Sequence, residues 1–263
     1  MDSFDSSIYR SNLETAWLGA DLIYKESVGS TNSYLKKAKG DAIAHGTVCV
    51  TDNQTEGRGQ YKHAWQSAKD KSLTFTIAFK PGSGDRLPLL TLCCALGVTR
   101  AIEKRGVANC KIKWPNDLLI NGRKVAGLLT ESVFIGPSPE RVLVGIGLNV
   151  NQENFGEEVG DKATSIINEL NEPVSREKLL CNILSEIEHL YTRWHHRDTE
   201  LCKAVNEKLI GFGKWVKITI NKEMQENKYK FLGMNDKGEC VMLNEGLNVH
   251  TFSYEQIRVF PDR

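Results

Sequence analysis

Four stretches of the chain carry side chains that packing alone does not require, and each suggests chemistry directed at an anion or a flat ring. In Thr55-Glu56-Gly57-Arg58-Gly59-Gln60-Tyr61-Lys62-His63-Ala64-Trp65 two glycines bracket an arginine. Glycine lets backbone N–H groups approach a ligand, Arg58 adds a planar cation suited to carboxylate or phosphate, and Trp65 can stack on a ring. The plainer reading is a surface turn whose tryptophan closes onto the core, and a glycine-x-glycine turn by itself merits no more than that. In Lys113-Trp114-Pro115-Asn116-Asp117 a lysine, a rigid proline, an amide and a carboxylate meet between two strands, a firm place to hold reacting groups. Good turn chemistry explains Pro115, Asn116 and Asp117 but leaves Lys113 and Trp114 unexplained.

The third stretch is Gly122-Arg123-Lys124-Val125-Ala126-Gly127-Leu128-Leu129-Thr130-Glu131-Ser132. Lys124 enters an apolar strand straight after a turn, well placed to point at an anionic ligand; the alternative is an edge lysine that discourages strand pairing. Gly127 favours the first reading, since glycine weakens a strand unless something must come close. The fourth, Gly145-Ile146-Gly147-Leu148-Asn149-Val150-Asn151, looks like a dinucleotide fingerprint. It lacks the third glycine, however, and lies within or at the end of a strand rather than between strand and helix. Small residues lining a flat ligand fit better, with Asn149 as a hydrogen-bonding group at the strand end. Arg58, Lys62, Lys111, Lys113, Arg123 and Lys124 gather positive charge in two regions of a chain whose formal net charge is only +1. A small polyanion such as ATP is held in that way. Trp65 and Trp114, near those charges, serve either rings or the core. The residues themselves thus reach a nucleotide-using α/β enzyme.

Periodicity supplies the elements that must position these groups. Leu22–Lys25 reads as a short strand, and Ser30, Thr31 and Asn32 place oxygen-bearing side chains ahead of a helix through Lys39. Thr47–Thr51 reads as a buried strand, residues 52–71 as a polar loop, and Leu73–Phe79 as a strand ending at Pro81-Gly82. Leu89, Leu92 and Leu96, with Ala95, Val98 and Ile102, make a wide apolar stripe on a helix over Leu87–Lys104. Strands follow at Cys110–Trp114, Asp117–Ile120 and Lys124–Val133, the last two joined by the hairpin signal Asn121-Gly122, and again at Arg141–Val150. A single helical stretch is expected from about Ser175 to Leu209, with Leu179, Ile183, Ile187 and Leu190 inward. Beyond Gly211-Phe212-Gly213 come five short strands: Trp215–Ile220, Tyr229–Met234, Cys240–Leu243, Leu247–Phe252 and Ile257–Phe260. They suggest a small β-barrel, so a domain boundary is placed near residue 212.

Composition narrows the partners. The chain has 263 residues, 40% of them apolar, enough for a sizeable core. A net charge of +1 argues against a general nucleic-acid binder. No run of about 18 apolar residues predicts a membrane span, and the start MDSFDSSIYR lacks the features of a secretory signal. Seven cysteines, an odd count with no C-x-x-C pair, fit reduced, mostly buried thiols of a cytoplasmic protein. No acidic cluster with octahedral spacing appears, so no protein metal ligand is assigned.

GRGQYKHAW, KWPND, GRKVAGLLTES and GIGLNVN, in that order, resemble the successive signatures of the biotin–protein ligases. The resemblance runs by motif over roughly residues 20–150 and by architecture beyond them. KWPND together with the later Lys-x-Ala-Gly run is its specific part. It implies an α+β fold: a mixed β-sheet with flanking helices, like that of class II aminoacyl-tRNA synthetases, followed by a small SH3-like β-barrel. Residues 1–211 would form the catalytic biotin- and ATP-binding domain and residues 212–263 the barrel. The implied reaction has two steps. Biotin and ATP give biotinyl-5′-adenylate and pyrophosphate, and a lysine of a biotin carboxyl carrier domain then displaces AMP. Magnesium is expected with the ATP, held chiefly by phosphate oxygens.

On the same resemblance, Lys124 matches the lysine that contacts both biotin and the α-phosphate, and Arg58 the arginine of the glycine loop that closes over the ligand. These two, with Asp117, are the implied catalytic groups. Ser30, Thr31 and Asn32 match the residues that meet the ureido head of biotin, and Gln54 borders that pocket together with Gly57, Gly59, Gly127, Gly145 and Gly147. Trp65 and Asn149 match residues near the adenine, and Gln60, Lys113, Asn116 and Asp117 complete the ATP side.

Two departures stand out. Many relatives carry an arginine where this chain has Gln60, and further basic residues in place of Tyr61 and Ala64, with Lys62 and His63 supplying part of the charge. A less cationic loop implies weaker retention of the adenylate, read as leakage in single-turnover trapping without acceptor. Only about twenty residues precede the first strand, too few for the winged DNA-binding domain of repressor-type relatives, so no transcriptional role is expected. Exposed strand edges leave a homodimer open. The alternatives are a lipoate or octanoate ligase of the same fold and a non-catalytic binding module. The first usually carries an arginine-arginine-x-x-glycine-glycine segment and lacks WPND; the second has no need of Lys124 or Asp117.

Overall fold

Alternating and continuous apolar runs in the first part of the chain resolve into one seven-stranded sheet in the computed structural model, which describes residues 3–39, 42–60 and 64–260. A short helix α1 (Ser6–Asn12), not expected from sequence, starts where the Asp5 carboxylate accepts from the N–H groups of Ser7 and Ile8. It is anchored by the buried Phe4 and Tyr9. Then come β1 (Leu22–Val28), α2 (Thr31–Lys37), β2 (Thr47–Gln54), β3 (Ser72–Phe79), α3 (Leu87–Lys104), β4 (Cys110–Lys113), β5 (Asp117–Ile120), β6 (Arg123–Ile135) and β7 (Ser138–Asn149). The sheet order is β1-β2-β3-β7-β6-β5-β4. β1 lies parallel to β2 and the other pairs are antiparallel, so the sheet is mixed.

Strand ends run further than local propensity suggested. β2 continues to Gln54, so the polar loop starts there and not at residue 52, because Ser27 and Val28 of β1 go on pairing with Asn53 and Gln54. The Asn121-Gly122 turn joins β5 to β6 with φ of 50° and 80°, the left-handed pair that a two-residue hairpin requires.

Helices follow in α4 (Gly156–Val159), a 3-10 turn at Gly160–Lys162, α5 (Ile166–Leu170), α6 (Arg176–His195) and α7 (Glu200–Asn206). The single helix expected from Ser175 to Leu209 is therefore two. Arg197 turns left-handed at φ 55°, and the Asp198 carboxylate draws in Arg193 Nε at 2.6 Å and the Glu200 N–H at 2.9 Å. Side-chain acceptors next to the backbone compete with helix continuation. α3 and α6 share the main core; each fully buried leucine of α3, such as Leu89 or Leu90, contributes roughly 1.5–3 kcal/mol. At the start of α6, buried Arg176 pairs with buried Asp52 of β2 at 2.8 Å.

A second, antiparallel sheet holds β8 (Trp215–Ile220), β9 (Glu223–Met224), β10 (Tyr229–Met234), β11 (Cys240–Leu243), β12 (Val249–Phe252) and β13 (Ile257–Phe260). Its order is β12-β11-β10-β8-β13, with β9 beside β8. It curls into an SH3-like half-barrel over Val216, Ile218, Phe231, Met242 and Val259. Leu247, expected at a strand start, sits in a turn with φ 61° and is 77% exposed. The architecture is α+β, as expected. Arg86, just before α3, ties the half-barrel to the helical layer: its Nε donates to the Asp236 carbonyl at 2.8 Å, in the turn after β10, and its Nη1 to the Trp194 carbonyl of α6 at 2.9 Å. The seven cysteines are all free thiols, six of them buried. No helix among the described residues is long and apolar enough to cross a membrane.

Candidate active site

Adjacent strands β3, β7 and β6 set Thr74, Gly147 and Gly127 in one cross-strand row and Thr76, Gly145 and Leu129 in the next. The glycines answer to what lies on them. A β-carbon on Gly147 would stand 2.2 Å from the Trp65 ring, and one on Gly145 2.3 Å from Asn32 Oδ1. Above this floor is a cavity of about 330 Å³, within the range of small-molecule sites.

One end is built by α2 and the strands beneath it. Ser30 caps α2 by accepting from the Ser33 N–H, and the Gln54 Oε1 accepts from the Thr31 N–H at 2.9 Å and from its hydroxyl at 3.2 Å. The Thr76 hydroxyl lies 2.7 Å from Thr31 Oγ1 and 2.6 Å from Asn32 Oδ1. Asn32 Nδ2 donates to the Leu129 carbonyl at 3.1 Å and to Glu131 Oε2 at 3.0 Å. Arg58 reaches the same carboxylate, donating from Nη2 to Glu131 Oε2 at 2.7 Å and to Ser33 Oγ at 3.0 Å. Lys36 Nζ holds the other oxygen at 3.2 Å. Burial pushes the Glu131 carboxyl up, but the hydrogen bonds from Asn32 and Lys36 and the charges of Arg58 and Lys36 outweigh it. The group is held below the usual carboxylate range.

The other end is built by the β4–β5 turn and the entry to β6. Lys124 Nζ pairs with Asp117 Oδ1 at 2.6 Å and lies 5.7 Å from the centroid of the Trp65 ring. Asn116 is pinned to β6, its Nδ2 donating to the Leu128 carbonyl at 2.8 Å and its own carbonyl accepting from the Leu128 N–H at 2.9 Å. Lys113, Trp114 and a cis Trp114–Pro115 bond complete the turn on the cavity wall. Two buried polar atoms at the cavity, Trp65 Nε1 and Thr74 Oγ1, find no hydrogen-bond partner among the described residues. Such atoms are uncommon in a folded interior and suit a site that receives polar ligand atoms.

The structure thus brings Ser30, Thr31, Asn32, Gln54, Arg58, Gly59, Gln60, Trp65, Lys113, Asn116, Asp117, Lys124, Gly127, Gly145 and Gly147 to one cavity. Two expected residues are placed elsewhere. Gly57 answers the closure of its own loop: its carbonyl accepts from the Trp65 N–H at 3.0 Å, and a β-carbon there would meet the Trp65 carbonyl oxygen at 2.3 Å. Asn149 is buried off the cavity wall, its Nδ2 bound to the Thr164 carbonyl at 3.0 Å. Of the cations grouped by sequence, Lys111 turns to the Glu207 carbonyl at 3.4 Å and Arg123 to Glu169 at 2.7 Å, away from the wall. Tyr61, Lys62 and His63 lie outside the described residues.

Sequence reasoning missed Thr74, Glu131 and the barrel residues Arg258, Val259 and Phe260, which also line or support the cavity. Thr74 and Thr76 left a signal, as hydroxyls at period two in an otherwise apolar strand; the barrel residues left none. Among the described residues no group of three or more potential metal-ligating side chains appears, and the one carboxylate on the cavity wall, Asp117, is engaged by Lys124.

Residues 24–149 match the model of the biotin/lipoate A/B protein ligase family. Over 244 residues the chain is 32% identical to the bifunctional ligase/repressor BirA of Bacillus subtilis, covering 90% of this chain and 74% of that protein. It is 26% identical over 215 residues to the biotin–[acetyl-CoA-carboxylase] ligase of Mycobacterium tuberculosis, covering 78% of this chain and 76% of that one. Among solved structures, the biotin protein ligase from Aquifex aeolicus in complex with biotin and ATP superposes with a TM-score of 0.80 at 27% identity, covering 92% of this chain and 100% of that one. The motif-bearing region, the whole-chain fold and the glycine-floored cavity lead to one conclusion: the chain belongs to the biotin/lipoate A/B protein ligase family, and within it to the biotin–protein ligases.

Proposed function

We propose that the cavity joins biotin to ATP as biotinyl-5′-adenylate and passes the biotinyl group to a lysine of a biotin carboxyl carrier domain, the acceptor being a biotin-dependent carboxylase. In this reading the ureido head of biotin meets Ser30, Thr31, Asn32 and Gln54 over Gly145. The biotin carboxylate oxygen attacks the α-phosphorus, and pyrophosphate leaves. The acceptor amine then attacks the mixed-anhydride carbonyl, and AMP leaves. Charge grows on the phosphoryl oxygens in the first step, so fixed cations are the main resource. Arg58 and Lys124 face that charge from opposite ends, Lys113 adds a third cation, and Asp117 orients Lys124. Gly127 and Gly147 leave room for Trp65 beside the adenine. Residues 1–211 carry the chemistry and 212–263 the barrel. Gln60 in place of a cation weakens the hold on the adenylate. The same reading gives the chain a cytoplasmic setting, no nucleic-acid partner, and pairing of two copies through an open sheet edge such as β1.

The observation that supports this most is the Lys124–Asp117 pair at 2.6 Å beside Trp65, at the mouth of a glycine-floored cavity. Titration calorimetry with biotin and with lipoate, each with and without ATP, tests it. Biotin should bind alone and more tightly with ATP, and lipoate should give no heat. Preference for lipoate would overturn the reading.

A further inference from the structure

Glu131 stands behind the cavity wall, yet it joins three of the parts that make that wall. It sits on β6, accepts from Asn32 of α2 at 3.0 Å and from Arg58 of the glycine loop at 2.7 Å, and pairs with Lys36 of α2 at 3.2 Å. Its own side chain is only 15% exposed, whereas that of Arg58 is 45% exposed. A half-exposed arginine samples many rotamers, and fixing it on a ligand costs that freedom. A carboxylate already held by two other donors removes part of the cost beforehand.

We propose that Glu131 is a positioning residue for Arg58. With Ser33 it grips the guanidinium by Nη2 and so fixes the charge of Arg58 at the cavity wall, where the anionic groups of biotin and ATP would meet it. The proposal rests on the reading of Arg58 as a ligand contact. Lys36 decides the sign of the effect. A carboxylate paired with Arg58 alone would cancel the loop's charge, but two cations on one carboxylate leave positive charge for the ligand. An ordinary surface ion pair would only steady the fold, so the distinguishing property is dependence on Arg58.

A double-mutant cycle on the full chain reads that dependence, with biotin affinity measured by calorimetry and KM and kcat by biotin-dependent ATP–pyrophosphate exchange. Glu131→Gln should weaken biotin binding and raise its KM about five- to tenfold while kcat changes less than about twofold. Glu131→Asp should fall between Glu131→Gln and the parent. In an Arg58→Ala background the Glu131→Gln change should have no further effect. Ser33→Ala, which removes the other acceptor on Arg58, should shift KM in the same direction by less. Additive losses in the double variant, whether from misfolding or from a separate role, would overturn the proposal, as would an unchanged KM in Glu131→Gln. Normal biotin affinity and exchange in Arg58→Ala alone would instead overturn the reading on which it rests.

Discussion

Lys124 is held at 2.6 Å by Asp117 and remains 40% exposed, so its ammonium is oriented without being shut into the core. In the proposed adenylation, removing it takes away a fixed cation where phosphoryl charge develops, and loss of one such group costs on the order of 10²–10³ in rate. Lys124→Ala should therefore slow pyrophosphate release by about that factor, with an unchanged thermal midpoint; near-normal release would contradict the assignment. Asp117→Asn keeps the shape of the turn and loses the ion pair, so its effect should lie between that of Lys124→Ala and the parent. Arg58, Lys124 and Trp65 were legible because unusual residue types stood at fixed spacing beside glycines. Glu131 was not, because an acidic residue late in a strand reads as a solvated face until α2 is known to fold over it.

At the scale of elements, the positions of Thr31 and Asn32 depend on how α2 ends. Its last-turn carbonyls are met by a buried guanidinium: Arg141 of β7 donates to the Leu35 carbonyl at 3.1 Å and the Ala38 carbonyl at 2.9 Å. Helix ends buried without such partners are costly. Arg141→Leu should lower stability by about 2–4 kcal/mol, and it should weaken biotin binding because α2 loses its fixed seat. Chemical denaturation and calorimetry would show both effects, and a variant with parental stability would refute the role. Strand and helix identities were readable from periodicity, and α3 matched its expected bounds. The break between α6 and α7 was not readable, because Arg197 and Asp198 compete with the helix only through side-chain geometry. The buried role of Arg141 was equally hidden, since charge alone predicts exposure.

For the whole molecule, the half-barrel is more than an appendage to the sheet. Arg258, Val259 and Phe260 of β13 reach the cavity wall, and Arg86 clamps the barrel turn at Asp236 to the end of α6 at Trp194. Trp194 Nε1 donates back to the Arg86 carbonyl at 3.1 Å. Arg86→Ala leaves two carbonyls without this donor, a loss of about 2–3 kcal/mol. It should lower the thermal midpoint and raise the KM for ATP together. A lowered midpoint with an unchanged KM would mean that the barrel does not shape the site. Five short strands with turns between them made the barrel legible. Its contribution to the cavity was not, since no local spacing links residue 258 to residue 58.

Trp65 lies against Gly127 and Gly147 with its ring nitrogen buried and without a hydrogen-bond partner among the described residues. The enzyme therefore carries its own optical probe. A ligand that meets this indole changes the polarity around it, and the ultraviolet emission follows occupancy without any label. Subtracting the trace of a Trp65→Phe variant separates its signal from that of Trp17, Trp114, Trp194 and Trp215. Rapid mixing would then time substrate entry apart from the bond-making that follows.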